Sequence, residues 1–285
     1  KQPFTDAVVD RYQQGSRFWV YAGHGQITEL DRVPARTGVP ILDSESVKRL
    51  NRPKGASPIA LILACYSGAV DAPQDSIAEE MLRNDGGPIA VLAGSRVTMP
   101  YGNTTAAVGM INAVYAQRLP RLGEAWYSAL SEMYREQPVD QSSTRVMVDA
   151  MATIFSPKGT SLVKERREHM LLYNLIGDPT LRLHHPKSVQ VTVPAGHEAG
   201  KVIEITAISP LAGELTVSLD RPIGAAIEGD PNDTSIASLQ TQVFPDISKK
   251  LKFKIPSEFT GPIMVRALVA GEATWAAGAA RTIVR

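Results

Sequence analysis

Apolar and polar positions change rhythm once along this chain. Up to about residue 186, short unbroken apolar runs alternate with stretches whose apolar residues recur every three or four positions. From about 188 onward almost nothing has helical spacing, and alternation with period two takes over. The runs SRFWVYAG (16–23), PIALILA (58–64) and PIAVLAG (88–94) are bounded by turn residues, the pattern of strands buried on both faces. Helical spacing predicts helices over 5–15, 75–85, 104–118, 122–134, 144–155 and 162–172, the second opening on Asp75 and Ser76 as capping candidates. Strand and helix in alternation predict an α/β unit, a mostly parallel sheet between helices.

The later region holds seven alternating runs: SVQVTVPA, KVIEITAIS, GELTVSLD, TQVFPD, KKLKFKIPS, GPIMVRALVAG and ATWAAGAARTIV. Gly, Pro, Asn and Asp turns separate them, which predicts an all-β immunoglobulin-like sandwich lacking that fold's usual cysteine pair. The expected domains are therefore residues 1–186 and 187–285.

Composition narrows the function classes. At 285 residues the chain fits about two domains. Thirty Lys and Arg against 29 Asp and Glu leave a net charge of +1, so no charge excess calls for nucleic acid or an anionic surface. The sequence has no apolar run of the roughly 18 residues that predicts a membrane-spanning helix. A single cysteine, Cys65, excludes an internal disulfide framework and a multi-cysteine zinc site. It is either a small core thiol or a reactive one.

Two polar residues stand where apolar strands stop, His24 in WVYAGHGQ and Cys65 in LILACYSG. In an open parallel sheet the carboxyl ends of strands face the ligand crevice, so adjacent strands would open both side chains onto one site. A cysteine attacks as its thiolate, and an imidazole delivers a proton to a leaving amine. Gly23 and Gly25 let the backbone turn sharply around His24, and main-chain amides freed there and at Cys65 are candidate donors to an oxyanion. Other candidates are weaker. Ser67 lacks the glycine two residues earlier that a G-x-S-x-G elbow requires, and neither G-x-G-x-x-G nor a P-loop is present. His184 and His185 abut Pro186 without a carboxylate at ligand spacing, so no metal site is expected.

The apolar run ending in His24-Gly25, followed by a second ending in Ala64-Cys65, resembles the His-Gly and Ala-Cys motifs of caspase-like cysteine peptidases. SESVKRLN, CYSG, SIAEEMLRNDGGPIAVLAGSR and YNLIGDPTLRLHHP resemble, in order, the gingipain-type peptidases of family C25, which carry an immunoglobulin-like domain after the catalytic one. The resemblance implies a caspase-like fold, with Cys65 as nucleophile forming a thioester and His24 as the acid and then the base. Gly25 and Cys65 would supply oxyanion-hole amides, while Ala22, Leu63 and Tyr101 would line the pocket for the residue preceding the cut bond. It also implies protein or peptide substrates, export to the exterior or cell surface, and no required cofactor, with structural calcium as a family trait. In that fold two strands and a helix precede the His-bearing strand. Their lack here predicts an exposed sheet edge, and either a cropped chain or pairing with a separately cleaved N-terminal fragment. Two rival readings share the fold: a catalytically silent binding or assembly module, and a cytosolic caspase-like signalling peptidase.

Overall fold

In the computed structural model the chain separates into two compact units, Lys1–Leu183 and His184–Arg285. The residues described are 4–51, 57–138, 144–222, 234–271 and 274–285. The first unit opens with α1 (Phe4–Gln13) and β1 (Phe18–Ala22), then a two-residue ladder of β2 (Arg32–Val33) and β3 (Val39–Pro40). The one-turn helix α2 (Ser44–Val47), β4 (Ile59–Leu63), α3 (Ile77–Arg83) and β5 (Ala90–Gly94) follow. Four helices, α4 (Pro100–Tyr115), α5 (Leu122–Tyr134), α6 (Thr144–Phe155) and α7 (Leu162–Leu172), lead into β6 (Tyr173–Gly177).

The sheet order is β1-β4-β5-β6. β1, β4 and β5 run parallel, as expected for connections through helices, and β6 returns antiparallel. Every residue of β4 and β5 is buried, because successive side chains alternate between two apolar layers. Ile59, Leu61 and Leu63 pack against Met110 of α4 and Leu122 and Trp126 of α5. Ala60 and Ile62 pack on the other face with Val9 of α1, Val47 of α2 and Met81 of α3. The mixed α/β architecture with its parallel sheet thus follows from the unbroken apolar runs.

Two elements depart from the expected pattern. α4 starts at Pro100, four residues before its predicted start, because a proline fits the first helical turn, where no amide partner is needed. β6 is a strand that periodicity does not announce. Beyond Tyr173 its residues are at most partly buried, and it lies at the sheet's outer side with pairing to β5 alone.

The second unit runs through β7 (Lys187–Ser188), β8 (Gln190–Thr192), β9 (Gly196–His197), β10 (Val202–Ile208) and β11 (Gly213–Asp220). It ends with β12 (Ser235–Val243), β13 (Ser248–Lys254), β14 (Gly261–Ala270) and β15 (Trp275–Val284). One sheet has the order β13-β10-β8; the other is built on β12-β11-β14-β15, with β7 and β9 short parallel additions to β15. Ile203, Ile205 and Phe253 of the first sheet share one core with Val217, Val265 and Val269 of the second, so the unit is a two-sheet β-sandwich. The run expected at TQVFPD is the end of a longer strand. β12 begins at Ser235 and stops before Phe244-Pro245, where proline cannot donate to a ladder. Of the last predicted run, Ala273 lies outside the described residues.

Leu61 is fully buried between β4 and the α4–α5 layer. Leu61→Ala is expected to lower stability by about 3 kcal/mol through lost burial and a residual cavity, read as an earlier urea midpoint at unchanged slope.

Candidate active site

The site is set by strand register. Ala22 of β1 pairs with Leu63 of β4, so His24 and Cys65 each lie two residues past a matched pair, at the carboxyl end of neighbouring parallel strands. One more ladder bond, from the Gly23 amide to the Leu63 carbonyl at 3.3 Å, carries the pairing past the strand ends. There β1 turns. The Tyr21 ring folds beneath Gly23, where a Cβ would lie 2.5 Å from the phenol oxygen and would have to displace the ring. The Tyr21 hydroxyl donates to the His24 carbonyl at 2.7 Å, and the Asp31 amide donates to the same carbonyl at 3.1 Å. The His24 side chain is exposed. It borders a groove shared with Gly25, Gln26, Glu29, Asp31 and Arg36.

Gly25 locks this turn onto the cysteine peptide. A Cβ there would stand 2.8 Å from the Ala64 Cβ and 2.9 Å from the Cys65 carbonyl oxygen. Gly25 also faces Leu30 in an antiparallel bridge. The bridging bonds run from the Gln26 amide to Glu29 (2.8 Å) and from the Asp31 amide to His24 (3.1 Å). Gly25 therefore occupies the non-hydrogen-bonded position, and the bridge leaves its amide unclaimed.

Cys65 is half-buried, and its Sγ lies against Thr98. The Thr98 amide donates to Sγ at 3.3 Å, the Thr98 carbonyl lies 3.6 Å away as acceptor for the thiol hydrogen, and the Thr98 Oγ1 lies at 3.9 Å. Tyr66, the next residue, has φ 56°, a left-handed backbone that costs a non-glycine residue about 1–3 kcal/mol and is held by its surroundings. The holding bonds are Tyr66 amide to Arg96 carbonyl (3.2 Å), Gly68 amide to Gly94 carbonyl (2.8 Å) and Ser67 hydroxyl to Ala64 carbonyl (3.2 Å).

Behind Thr98 lies a buried polar chain. Asn103 donates through Nδ2 to Thr98 Oγ1 at 3.1 Å and to the Leu63 carbonyl at 3.3 Å, and the Tyr173 hydroxyl donates to Asn103 Oδ1 at 2.7 Å. Burial pushes the Tyr173 phenol well above its ordinary pKa. The segment is fixed from the other side by His169, only 1% exposed, whose Nε2 accepts the Met99 amide at 2.7 Å while Nδ1 lies 2.7 Å from the Glu165 carbonyl. These partners define the tautomer, with hydrogen on Nδ1.

The remaining expected residues fall in different places. Ala22 is exposed at the end of β1, whereas Leu63 is buried in the α4–α5 layer. Tyr101 is buried at the start of α4, where its hydroxyl donates to Asp149 at 2.7 Å and accepts from Arg166; burial, the leading cause, raises its pKa. The side chains exposed on the Thr98 segment are instead Val97 and Met99, an apolar rim beside the thiol. Arg96 is committed to Asp71 by paired bonds of 3.0 and 2.6 Å, which hold the Asp71 carboxyl below its usual range. Thr98, Asn103, Tyr173, Tyr21 and His169 escaped the sequence reading. Thr98, Asn103 and Tyr173 lie outside the helices and strands that the spacing predicts, so no periodic signal marks them. Among the described residues no group of three or more His, Cys, Asp or Glu could hold a metal ion. None of the described helices is long and apolar enough to cross a membrane.

A thiol and an imidazole at level ends of adjacent parallel strands, in a helix-covered α/β unit, define a class of candidate thiol-dependent active sites. The family model described as peptidase family C25 matches residues 1–184, and the chain belongs to that family, as its motifs led one to expect. No curated protein matches the chain. Among solved structures, a protease is similar at 13% identity with a TM-score of 0.46, over 100% of this chain and 57% of that one. The chain thus spans little more than half of that protein's length. The sulfur carrier protein SoxY from Chlorobium limicola f thiosulfatophilum is similar at 14% identity and a TM-score of 0.24, over 34% of this chain and 79% of its own.

Gly102 tests the clamp on the Thr98 segment, since a Cβ there would lie 2.2 Å from the His169 ring. Gly102→Ala must displace that ring and break its bond to Met99, and is expected to cost about 2–3 kcal/mol, measured by urea unfolding.

Proposed function

We propose that the chain is a cysteine endopeptidase of gingipain-like type, its first unit caspase-like and its second immunoglobulin-like. The observation that carries this reading is the Ala22–Leu63 register, with Gly25 stacked on the Cys65 peptide. In the proposed reaction the Cys65 thiolate attacks a peptide carbonyl carbon, and the oxyanion of the tetrahedral adduct accepts from the Gly25 and Cys65 amides. Collapse breaks the C–N bond as His24 protonates the departing amine, leaving a thioester. His24 then takes a proton from water, which attacks the thioester to release the carboxylate product and regenerate the thiol. The unclaimed Gly25 amide supports the oxyanion role. One such donor is worth on the order of a hundredfold in rate or more.

In this reading Ala22 lies on the open side of the substrate pocket, and Leu63 and Tyr101 shape its wall from within. The free edge of β1, with Val20 half exposed, suits an added strand from the expected N-terminal fragment. The family's export to the exterior or cell surface is carried over as part of the same proposal. His24 and Cys65, both intact, weigh against a catalytically silent module.

A peptide-library cleavage assay on the full chain tests the proposal. Cys65→Ala should abolish cleavage and His24→Ala should lower it by about a hundredfold or more; undiminished cleavage by Cys65→Ala removes the thiol from the mechanism. Gly25→Ala, which would push the His24 turn off the cysteine peptide, is expected to lower kcat by about a hundredfold with a small change in thermal midpoint.

A further inference from the structure

The buried chain beneath Cys65 has a fixed direction, and this bears on the thiol. The Leu63 carbonyl can only accept, so the Asn103 group 3.3 Å from it is the NH2 end of the amide. That end also donates to Thr98 Oγ1 at 3.1 Å, which leaves the Asn103 oxygen to face the Tyr173 hydroxyl at 2.7 Å. Tyr173 must then be the donor, and burial keeps its phenol protonated. Thr98 Oγ1, having accepted from Asn103, retains its own hydrogen for another acceptor. The Cys65 Sγ, 3.9 Å away, is within reach of it. All three residues are at least nine-tenths buried.

We infer that Tyr173, Asn103 and Thr98 form a polarised relay of positioning residues, which aims the Thr98 hydroxyl and amide at the sulfur and stabilises Cys65 as a thiolate. The inference rests on the reading of Cys65 as nucleophile and adds the means of its activation. In the thiol form the S–H points to the Thr98 carbonyl at 3.6 Å. Ionisation sends that proton to a base and forfeits one weak bond. The two donors from Thr98 remain, and their bonds become charge-assisted, roughly twice as strong as neutral ones. Both Thr98 donors therefore suit the charged sulfur better than the neutral one.

The titratable and charged groups around the thiol are Tyr66 beside it, His24 on the loop after β1, the Arg96–Asp71 pair, Glu165 and His169 on α7, and Tyr173 on β6. Arg96 is neutralised by Asp71, and His169 and Glu165 are turned to the Met99 and Gly102 amides. Tyr173 is the one joined to the sulfur through the hydrogen-bonded chain.

Because the chain has one cysteine, intact-mass measurement of iodoacetamide alkylation reads Cys65 alone. In the full chain, Thr98→Val is expected to raise the midpoint of the alkylation rate against pH by about one unit, slowing the reaction by about tenfold at pH values below both midpoints and leaving the alkaline plateau unchanged. Thr98→Ser, which keeps the hydroxyl, should hold the parent midpoint, and Tyr173→Phe should shift it the same way by a smaller amount. A parent-like midpoint in folded Thr98→Val overturns the relay. If that variant fails to fold, a parent-like midpoint in folded Tyr173→Phe does so. Cleavage is not the readout: peptidase activity surviving in Cys65→Ala would sink the nucleophile assignment, whereas the relay stands or falls on the midpoint.

Discussion

The parallel pairing of β1 with β4, with Ala22 opposite Leu63, is the constraint on which the site depends. Because strand side chains alternate with period two, a slip of one residue would send the His24 side to the opposite face of the sheet from Cys65. The register is enforced by burial. Tyr21 enters the layer of α1–α3 while Phe18 packs against the layer of α4–α5, and a one-residue slip would exchange those layers. Gly25 then converts strand adjacency into contact, since its missing side chain is what lets the histidine turn rest on the cysteine peptide.

The layer behind the thiol is polar where a core is normally apolar, and it is held accordingly. Arg166 donates to Tyr101 and to the carbonyls of Met133, Arg135 and Glu136, and Arg145 pairs with Asp149 at 2.8 Å. Buried guanidinium groups are tolerated because their donors are satisfied in this way. The cluster ties the start of α4 to α5, α6 and α7. It thereby fixes the backbone of the Thr98–Asn103 segment against which Cys65 rests.

Much of this was legible in the sequence. Continuous apolar runs gave away β1, β4 and β5, and the change to period two marked the second unit, whose seven runs each contain or overlap a strand. His24, Gly25 and Cys65 stood out because polar or glycine residues interrupt apolar runs at equivalent points. β6 was hidden, since a strand at the side of a sheet buries too little to show an apolar pattern. The residues that hold the thiol were hidden for another reason. Tyr173 is seventy residues from Asn103, and only the packing of α4 and β6 against the strand ends joins it to the Thr98–Asn103 pair. The burial of Tyr101 was equally invisible, because its partners lie on α6 and α7.

The reversed direction of β6 has a consequence in time as well as space. Entering the sheet antiparallel, the strand places its first residue, Tyr173, opposite Gly94 at the end where Cys65 stands. A chain leaving the ribosome exposes its cysteine more than a hundred residues before the tyrosine that completes the surrounding polar chain. At roughly 5–20 residues per second this is an interval of about 5–20 s. Until it ends the polar chain around the cysteine lacks its last member, so the closing segment of the domain decides when the site is finished.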